Sequence, residues 1–343
     1  MIKQAISSLV EGHSLSMEQA ATVMEEIMEG AATPSQLGAF LAALRIKGET
    51  PDEIAGLASA MQAKAVRLSA GEPVLDIVGT GGDGLNTFNI STAACLVTAA
   101  AGVKVAKHGN RAASGRCGSA DVLEKLGVKL DLTPEQVHRC ISEVGIGFMF
   151  APVFHPAMKF AGPTRKEIAI RTVFNILGPL TNPAVAEYQV IGVPTRELAE
   201  KIVRALLRLR SEHSLVVYGE NGMDELSISG PSRYWEIVQG KLQVDGMLVS
   251  PEDVGLTSAP LESILGDGPQ KNAQIILDVL RGDPGPQRDV VALNAAAGLQ
   301  AAGRAGSLKE GVAIALMTLE GGKALTTLER LISCTARLSG GTR

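Results

Sequence analysis

Apolar residues in the first seventy positions recur at the spacing of amphipathic helices. Leu37, Phe40, Leu41 and Leu44 follow the i, i+3, i+4, i+7 pattern, which places them on one face of a helix. Helix starts are marked by capping boxes, in which a Ser or Thr precedes Gln or Glu by three residues, at Ser16, Thr33 and Thr50. We therefore predict a small α-helical domain over residues 1–69, followed by a hinge at 69–73.

After residue 74 the pattern changes to short apolar runs that alternate with helical segments. This alternation predicts an α/β domain with a mainly parallel central sheet and helices on both faces. We predict strands at 74–78, 103–106, 146–150, 188–193 and 214–218, and helices at 91–101, 119–126, from Thr133 and at 195–209. Short strands between 226 and 244 indicate an antiparallel excursion, and the chain from 272 onward is predicted to be helical.

Composition narrows the possible partners. The 343 residues are 45% hydrophobic and 20% charged, which is typical of a folded globular chain. With 32 basic and 36 acidic side chains and only 3% aromatic residues, the chain lacks the basic field and the stacking surface of a nucleic-acid binder. The four cysteines are far apart, no signal-peptide core opens the sequence, and the longest apolar run, 93–103, is too short to cross a bilayer. We expect a cytoplasmic protein with no membrane and no nucleic-acid partner.

The most informative local motif is a glycine-rich loop, GTGGDG at 79–84, between a predicted strand and a predicted helix. Three of its glycines fit the spacing of dinucleotide-binding folds, but those folds need an acidic residue about 20 positions further on. No Asp or Glu occurs between 84 and 120, and Lys104 and Lys107 stand there instead. No Gly-Lys-Ser/Thr follows, so this is not a P-loop. Convergent glycine amides and a helix N-terminus favour polyphosphate, with a plain strand-to-helix turn as the structural alternative.

Two further segments point to the same edge of the sheet. KHGNRAASG at 107–115 follows the next predicted strand, and its cations, amides and hydroxyls suit a second phosphate. Asp224 and Glu225 follow a glycine turn and suit Mg²⁺, although an acidic pair alone is more often solvated. Ligands in open α/β sheets bind beyond the carboxyl ends of the strands, where these segments lie.

A fourth segment, 148–158, is apolar and aromatic and is followed by Arg165. Such a wall near one arginine suits a flat aromatic carboxylate, and a buried strand with a surface arginine is the equal alternative. His13, His138, His155 and His213 show no metal-ligand spacing, so we interpret them as structural.

Together these segments resemble one family, the anthranilate phosphoribosyltransferases, nearly from end to end. The matching stretches are QLGAFLAALRIKG at 36–48, GTGGDG at 79–84, NIST at 89–92, KHGNRAASG at 107–115, GSADVLEKLGV at 118–128, HPAMK at 155–159, RTVFNILGPLTNP at 171–183 and GMDE at 222–225. The resemblance implies transfer of the phosphoribosyl group of 5-phosphoribosyl 1-pyrophosphate to the amine of anthranilate, in tryptophan biosynthesis. It also implies a homodimer, and a helical domain joined by about 168–186, which leaves 74–167 and 187–343 to the α/β domain.

The resemblance carries site residues to matching positions. Two Mg²⁺ ions per subunit would be held by Ser91, Asp224 and Glu225, and anthranilate would face Gly79, Asn110 and Arg165, with His108 nearby. Phosphoribosyl pyrophosphate would contact Gly79, Gly82, Asp83, Thr87, Asn89, Ile90, Ser91, Thr92, Lys107, His108, Gly109, Asn110, Arg111, Ala112, Ala113, Ser114, Gly115 and Ser119. No residue is assigned as general acid or base. Phe160 and Ala169 stand where the family often has histidine and glycine.

Two other functions are compatible with the same fold. A pyrimidine nucleoside phosphorylase would carry a phosphate loop like Lys-His-Ser-Thr-Gly-Gly, which differs from GTGGDG. A noncatalytic nucleic-acid-binding relative would need an expanded basic surface and could dispense with Asp224 and Glu225.

Overall fold

The computed structural model describes residues 1–112 and 115–340, and its N-terminal part is helical as predicted. The first four helices are α1 (Ile2–Val10), α2 (Met17–Met28), α3 (Pro34–Lys47) and α4 (Pro51–Ala63). All three predicted capping boxes form. At the start of α2, for example, the Ser16 hydroxyl accepts from the Gln19 amide at 3.1 Å, and Gln19 Oε1 accepts from the Ser16 amide at 2.9 Å. Local hydrogen bonds therefore fix where these helices begin.

One of these boxes also contains a fully buried carboxylate. The Glu53 side chain, at 0% exposure, accepts from the amides of Leu15 and Thr50 at 2.9 and 2.8 Å. Lys47 Nζ lies 2.9 Å from the same carboxylate. Glu53 thus ties the α1–α2 loop, the end of α3 and the start of α4 together.

Most of the remaining described residues form a seven-stranded sheet with helices on both faces. Its strands are β1 (Leu75–Gly79), β2 (Val105–Gly109), β3 (Ile146–Phe150), β4 (Tyr188–Gly192), β5 (His213–Gly219), β6 (Ser232–Val238) and β7 (Lys241–Val249). The helices are α5 (Ile90–Ala100), α6 (Ser119–Lys125), α7 (Pro134–Val144), α8 (Ala151–Phe154), α9 (Gly162–Ile168), α10 (Phe174–Leu177), α11 (Arg196–Arg208), α12 (Pro269–Leu280), α13 (Pro286–Ala301), α14 (Leu308–Glu320) and α15 (Lys323–Ser339).

The strand order is β3-β2-β1-β4-β5-β6-β7, parallel from β3 to β5 and antiparallel beyond. The predicted fold class is confirmed. The first five strands lie close to their predicted bounds, and β3 matches them at both ends. The antiparallel pair lies later than expected, because residues 226–231 form a loop before β6 begins at Ser232.

The chain reverses its direction of sheet growth at β1. From β1 it adds β2 and β3 on one side, and it then crosses to the other side to add β4 and β5. Crevices in open α/β sheets form at such a switch point, outside the carboxyl ends of the strands. The topology therefore opens a crevice beyond Gly79 of β1, Gly109 of β2 and Gly192 of β4.

Two hydrophobic cores flank the sheet. One contains most of β3 and α5, together with α12 to α15, and Gly298 lets α13 approach the sheet, since a Cβ there would lie 2.7 Å from Ile77 Cδ1. The other joins α1 to α4 with α11 and also includes Val173, Phe174 and Leu177. Among the helices of the described ranges, none has the length and apolarity needed to cross a membrane.

Replacing Glu53 with Ala should destabilise the helical part strongly. The change leaves Lys47 without its buried partner and two amides without an acceptor, so we expect the free energy of unfolding to fall by about 3 to 5 kcal/mol. Denaturant titration followed by circular dichroism measures this loss. The second box provides the matched control, because Gln36→Ala removes one exposed hydrogen bond and should cost no more than about 1 kcal/mol. Equal losses in the two variants would contradict this role of Glu53.

Candidate functional site

Two paired glycines create the space for the site. Gly79 at the end of β1 and Gly192 at the end of β4 are register partners. A Cβ on Gly79 would lie 2.2 Å from Asp224 Oδ2, and a Cβ on Gly192 would lie 1.6 Å from the Asp224 carbonyl oxygen. Only glycine at both positions allows residues 224–225, which follow β5, to lie across the ends of the two strands.

The glycine loop after β1 uses backbone angles that other residues rarely adopt. Gly81 and Gly82 have φ values of +67° and +83°. The Gly81 amide donates to Asp224 Oδ2 at 2.6 Å, and Arg171 fills the space beside Gly82. The loop therefore reaches the acidic pair directly, and it needs glycine for both its angles and its close contacts.

The second predicted loop begins on β2, where Lys107 is 2% exposed. Its Nζ donates to the Ile77 carbonyl at 2.7 Å. Asp76 lies below it and accepts from Asn182 Nδ2 at 2.7 Å. Burial raises the pKa of Asp76 to about 6, and the positive charge of Lys107 opposes that rise. A buried cation is thus held at the base of the crevice.

Three carboxylates cluster above the strand ends. Oxygens of Asp83, Asp224 and Glu225 all lie within 4.8 Å of one another. Burial and then the charge of Asp83 raise the pKa of Asp224 to about 6, and burial followed by Asp224 raises the pKa of Glu225 well above its ordinary value. Asp83 Oδ2 and Glu225 Oε2 are buried without a hydrogen-bond partner among the described residues. These hard, converging oxygens fit Mg²⁺, which would relieve their mutual repulsion.

These groups line one cavity of about 450 Å³ at the switch point. Most of the residues expected for the phosphorylated sugar and the metal line it: Gly79, Gly82, Asp83, Thr87, Asn89, Ser91, Thr92, Lys107, His108, Gly109, Asn110, Arg111, Ala112, Gly115, Ser119, Asp224 and Glu225. This convergence does not favour the two structural alternatives, in which GTGGDG is a plain turn and Asp224 and Glu225 are a solvated pair.

Other expected residues lie elsewhere. Ile90 is fully buried in the core and does not line the cavity. Arg165 does not line it either: its half-buried guanidinium lies 4.9 Å from the centre of the Phe174 ring, and burial lowers its pKa. Arg111 does line the cavity, but it pairs with Asp121 and Glu124 at 3.1 and 2.8 Å. Ala113 and Ser114 fall outside the described residues.

Sequence reasoning missed several nearby groups. His155, interpreted as structural, has its ring centre 5.0 Å from that of His108, and within the described chain each ring leaves Nε2 buried without a partner. Burial lowers the pKa of His108 to about 3 and that of His155 to about 4, so both imidazoles are neutral. The lining also includes Arg171 and Asn175, whose only sequence signal is the family-like stretch 171–183.

The two departures from the family pattern lie away from the cavity lining. The ring of Phe160 packs against Gly30 after α2, where a Cβ would lie 2.7 Å from Phe160 Cε1. Ala169 ends α9 in the left-handed region at φ 50°, a conformation that favours glycine. Neither residue contributes to the cavity described above.

Comparison with known proteins identifies the family. Residues 3–65 match the helical bundle domain of the glycosyl transferase family, and residues 71–325 match its a/b domain. An anthranilate phosphoribosyltransferase of Dehalococcoides mccartyi is 58% identical over 341 residues, which is 99% of this chain and 100% of the relative. This chain belongs to the anthranilate phosphoribosyltransferase family.

Solved structures of the anthranilate phosphoribosyltransferase family have the same fold. The enzyme of Thermus thermophilus superposes with a TM-score of 0.91 at 48% identity, over 97% of this chain and 99% of that one. The enzyme of Saccharomyces cerevisiae in complex with PRPP and Mg gives a TM-score of 0.89 at 29% identity, over 98% of both chains. The resemblance inferred from the motifs is therefore confirmed.

Replacing His155 with Gln should make the free energy of unfolding less dependent on pH in mild acid. In the unfolded chain, His155 binds a proton near its ordinary pKa of 6.5, whereas in the folded chain its pKa is about 4. The contribution of neutral His155 to the free energy of unfolding is therefore fully present above pH 6.5 and is lost as the pH falls toward 4. Without this group, the slope of unfolding free energy against pH should decrease by about 1.4 kcal/mol per pH unit. Denaturant titrations between pH 6 and 4.5 measure it. Exposed His13→Gln is the matched control, and parallel profiles for wild type and His155→Gln would disprove the assignment.

Proposed function

We propose that this chain transfers the phosphoribosyl group of 5-phosphoribosyl 1-pyrophosphate to the amine of anthranilate and releases pyrophosphate, in tryptophan biosynthesis. The observation that carries the proposal is the convergence of three carboxylates, a glycine loop and a buried lysine in one cavity. A cavity with both signs of charge fits a magnesium complex of a polyphosphate better than a bare anion, and this favours a pyrophosphorylated sugar over the phosphate of a nucleoside phosphorylase.

The phosphorylated sugar lies, in this proposal, between the glycine loop and the loop after β2. Backbone amides of the first loop and the N-terminus of α5, which includes Ser91 and Thr92, donate to phosphate oxygens. Lys107 supplies a positive charge already positioned by its bond to the Ile77 carbonyl. Asn89 is held in place by Asn272 Nδ2, which donates to its Oδ1 at 3.0 Å.

The chemical step is a displacement at C1 of the ribose. The amine nitrogen of anthranilate forms a bond to C1 while the bond between C1 and the pyrophosphate oxygen breaks and its electron pair leaves with pyrophosphate, and the positively charged nitrogen then releases its proton to water. When bound at Asp83, Ser91, Asp224 and Glu225, Mg²⁺ supplies positive charge that stabilises the departing pyrophosphate. Lys107 and the loop amides stabilise the same charge. An aromatic amine is neutral at pH 7, so holding it against C1 suffices and no general base is assigned.

Anthranilate would bind beside Asn110 and Gly79, with its carboxylate directed to Arg165. The support is that Arg165 is half-buried, carries a lowered pKa caused by burial, and contacts the face of Phe174. A desolvated guanidinium gains more from an incoming carboxylate than a solvated one does. The neutral rings of His108 and His155 offer nitrogens nearby that have no partner among the described residues.

The proposal also includes the domain bounds, the metal count, the oligomeric state and the location of the protein. The helical domain comprises 1–69 with 168–186, which is supported by the core that Phe174 and Leu177 share with α1 to α4. The α/β domain comprises 74–167 and 187–343. We also propose two Mg²⁺ ions per subunit, a homodimer and a cytoplasmic location, in keeping with the family resemblance.

The transfer is tested by the fluorescence of anthranilate. Fluorescence should fall only when protein, phosphoribosyl pyrophosphate and Mg²⁺ are all present, and omission of any one should abolish the change. Phosphate with thymidine or uridine is the parallel assay. Phosphorolysis of a nucleoside without anthranilate turnover would replace this function by that of a nucleoside phosphorylase.

Removing the acidic pair should abolish turnover without harming the fold. In Asp224→Asn with Glu225→Gln we expect kcat to fall by at least about 100-fold, because the metal loses two anionic ligands. Unfolding free energy should not decrease, since the change also removes repulsion between buried charges. Rates measured across a magnesium titration test this, with exposed Asp131→Asn as control. Magnesium-dependent turnover equal to wild type would refute the metal site.

Replacing Arg165 with Ala should act on the acceptor alone. Loss of the guanidinium removes one charged hydrogen-bonding partner, so we expect KM for anthranilate to rise about 10- to 100-fold while KM for the sugar donor stays within about 2-fold. Steady-state kinetics with each substrate varied separately provide the measurement. Exposed Lys166→Ala on the same helix is the control. A selective rise in KM for the sugar donor would contradict the acceptor role.

A further inference from the structure

Arg171 lines two cavities. The first is the cavity at the switch point. The second, of about 470 Å³, lies between the end of α3 and the start of α11 and is lined on those sides by Arg45, Glu49 and Glu197. The two cavities share Gly82, Asp83, Arg171 and Asn175. Arg171 therefore stands at the junction of the helical part, the glycine loop and the carboxylate cluster.

The contacts of its guanidinium are with the glycine loop. Nη2 donates to the Gly81 carbonyl at 2.7 Å and to the Thr80 carbonyl at 3.5 Å. In the described part of the chain, the Arg171 side chain hydrogen-bonds to these backbone carbonyls alone. A Cβ on Gly82 would lie 1.3 Å from Arg171 Nη1, so the guanidinium also occupies the space that any side chain at 82 would need.

These contacts fix the direction of the loop amides. In a trans peptide the carbonyl oxygen and the following N–H point to opposite sides, and the described residues contain no cis bonds. Holding the Thr80 carbonyl toward Arg171 directs the Gly81 N–H the other way, where it donates to Asp224 Oδ2 at 2.6 Å. Holding the Gly81 carbonyl likewise directs the Gly82 N–H away from Arg171.

The position of Arg171 is in turn set by the helical core. It lies between α9 and α10, and the neighbouring Val173 and Phe174 are buried in the same core as α1 to α4. Asn175 Oδ1 accepts from the Thr172 amide at 3.0 Å, which fixes the turn after Arg171. Through the Arg171 side chain, the glycine loop is thus connected to the hydrophobic core that contains α1 to α4.

We propose that Arg171 is a positioning residue for the sugar donor: its guanidinium aligns the glycine-loop amides with the diphosphate. Donor affinity then depends on how the helical part, which positions Arg171, packs beside the glycine loop. The inference rests on the proposed function, because it assigns the pyrophosphate end of the donor to this loop. It requires that loss of the guanidinium impair binding of the donor far more than binding of anthranilate.

Two variants test the inference. Arg171→Met keeps the apolar stem but cannot donate, and we expect KM for phosphoribosyl pyrophosphate to rise about 10- to 100-fold with KM for anthranilate within about 2-fold. Hydrogen exchange in the peptide spanning 79–88 should accelerate at least about 10-fold, because the loop loses the bonds that hold its carbonyls. Arg171→Lys keeps one cationic donor and should show smaller increases in donor KM and in hydrogen exchange at 79–88. If Arg171→Met fails to fold, these increases in Arg171→Lys relative to wild type are the test.

Arg139→Met is the matched control, since Arg139 is an exposed arginine paired with Glu143 on α7. It should change neither KM nor exchange in residues 79–88. Normal wild-type turnover together with unchanged donor KM and loop exchange in the Arg171 variants would overturn this inference and leave the proposed function standing. Absence of transfer by the wild-type protein would refute both.

Discussion

The close approach of the loop at 224–225 to two strand ends is the constraint on which the site depends. β1 and β4 both end in glycine, and Asp224 occupies the space that side chains there would fill, with its carboxylate beside Gly79 and its backbone beside Gly192. Because the loop rests directly on the sheet, its carboxylates meet the glycine loop, and the Gly81 amide bonds to Asp224. A single methyl group at Gly192 would lift this loop and disperse the cluster. The strand order creates the crevice, and the two glycines leave the space in which the carboxylates lie.

Opposite charges are arranged on neighbouring strands of the same crevice. The carboxylates of the loops after β1 and β5 repel one another, and burial followed by this repulsion raises the pKa values of Asp224 and Glu225. The neighbouring strand β2 contributes the buried Lys107, whose positive charge acts on Asp76. Such a site suits a complex of a metal cation with a polyanion, because the carboxylates attract the cation and Lys107 attracts the polyanion. This charge pattern agrees with the family to which the chain belongs, and the comparisons do not favour the two alternatives that share the fold.

Local signals predicted much of this structure. Capping boxes correctly predicted helix starts at Ser16, Thr33 and Thr50, because their hydrogen bonds lie within four residues. Parallel strands were predictable because burial on both faces leaves continuous apolar runs. The grouping of residues 79–92, 107–119 and 224–225 followed from motifs placed at strand ends. Long-range contacts were not predictable: neither the addition of Asp83 to the carboxylate cluster nor the His108–His155 contact leaves a pattern in spacing. The short helices between 151 and 177 also escaped prediction, since tertiary packing and not periodicity fixes them.

The cavity is assembled from segments that lie far apart in the chain, from Gly79 to Glu225 and on to Asn272. No isolated fragment contains enough of it to hold the ligand, so occupancy stabilises the complete native chain alone. By mass action, a ligand at about a hundredfold excess over its Kd adds about 2.7 kcal/mol to the free energy of unfolding. Proteases degrade chains that open, so an occupied cavity would also protect the chain from proteolysis.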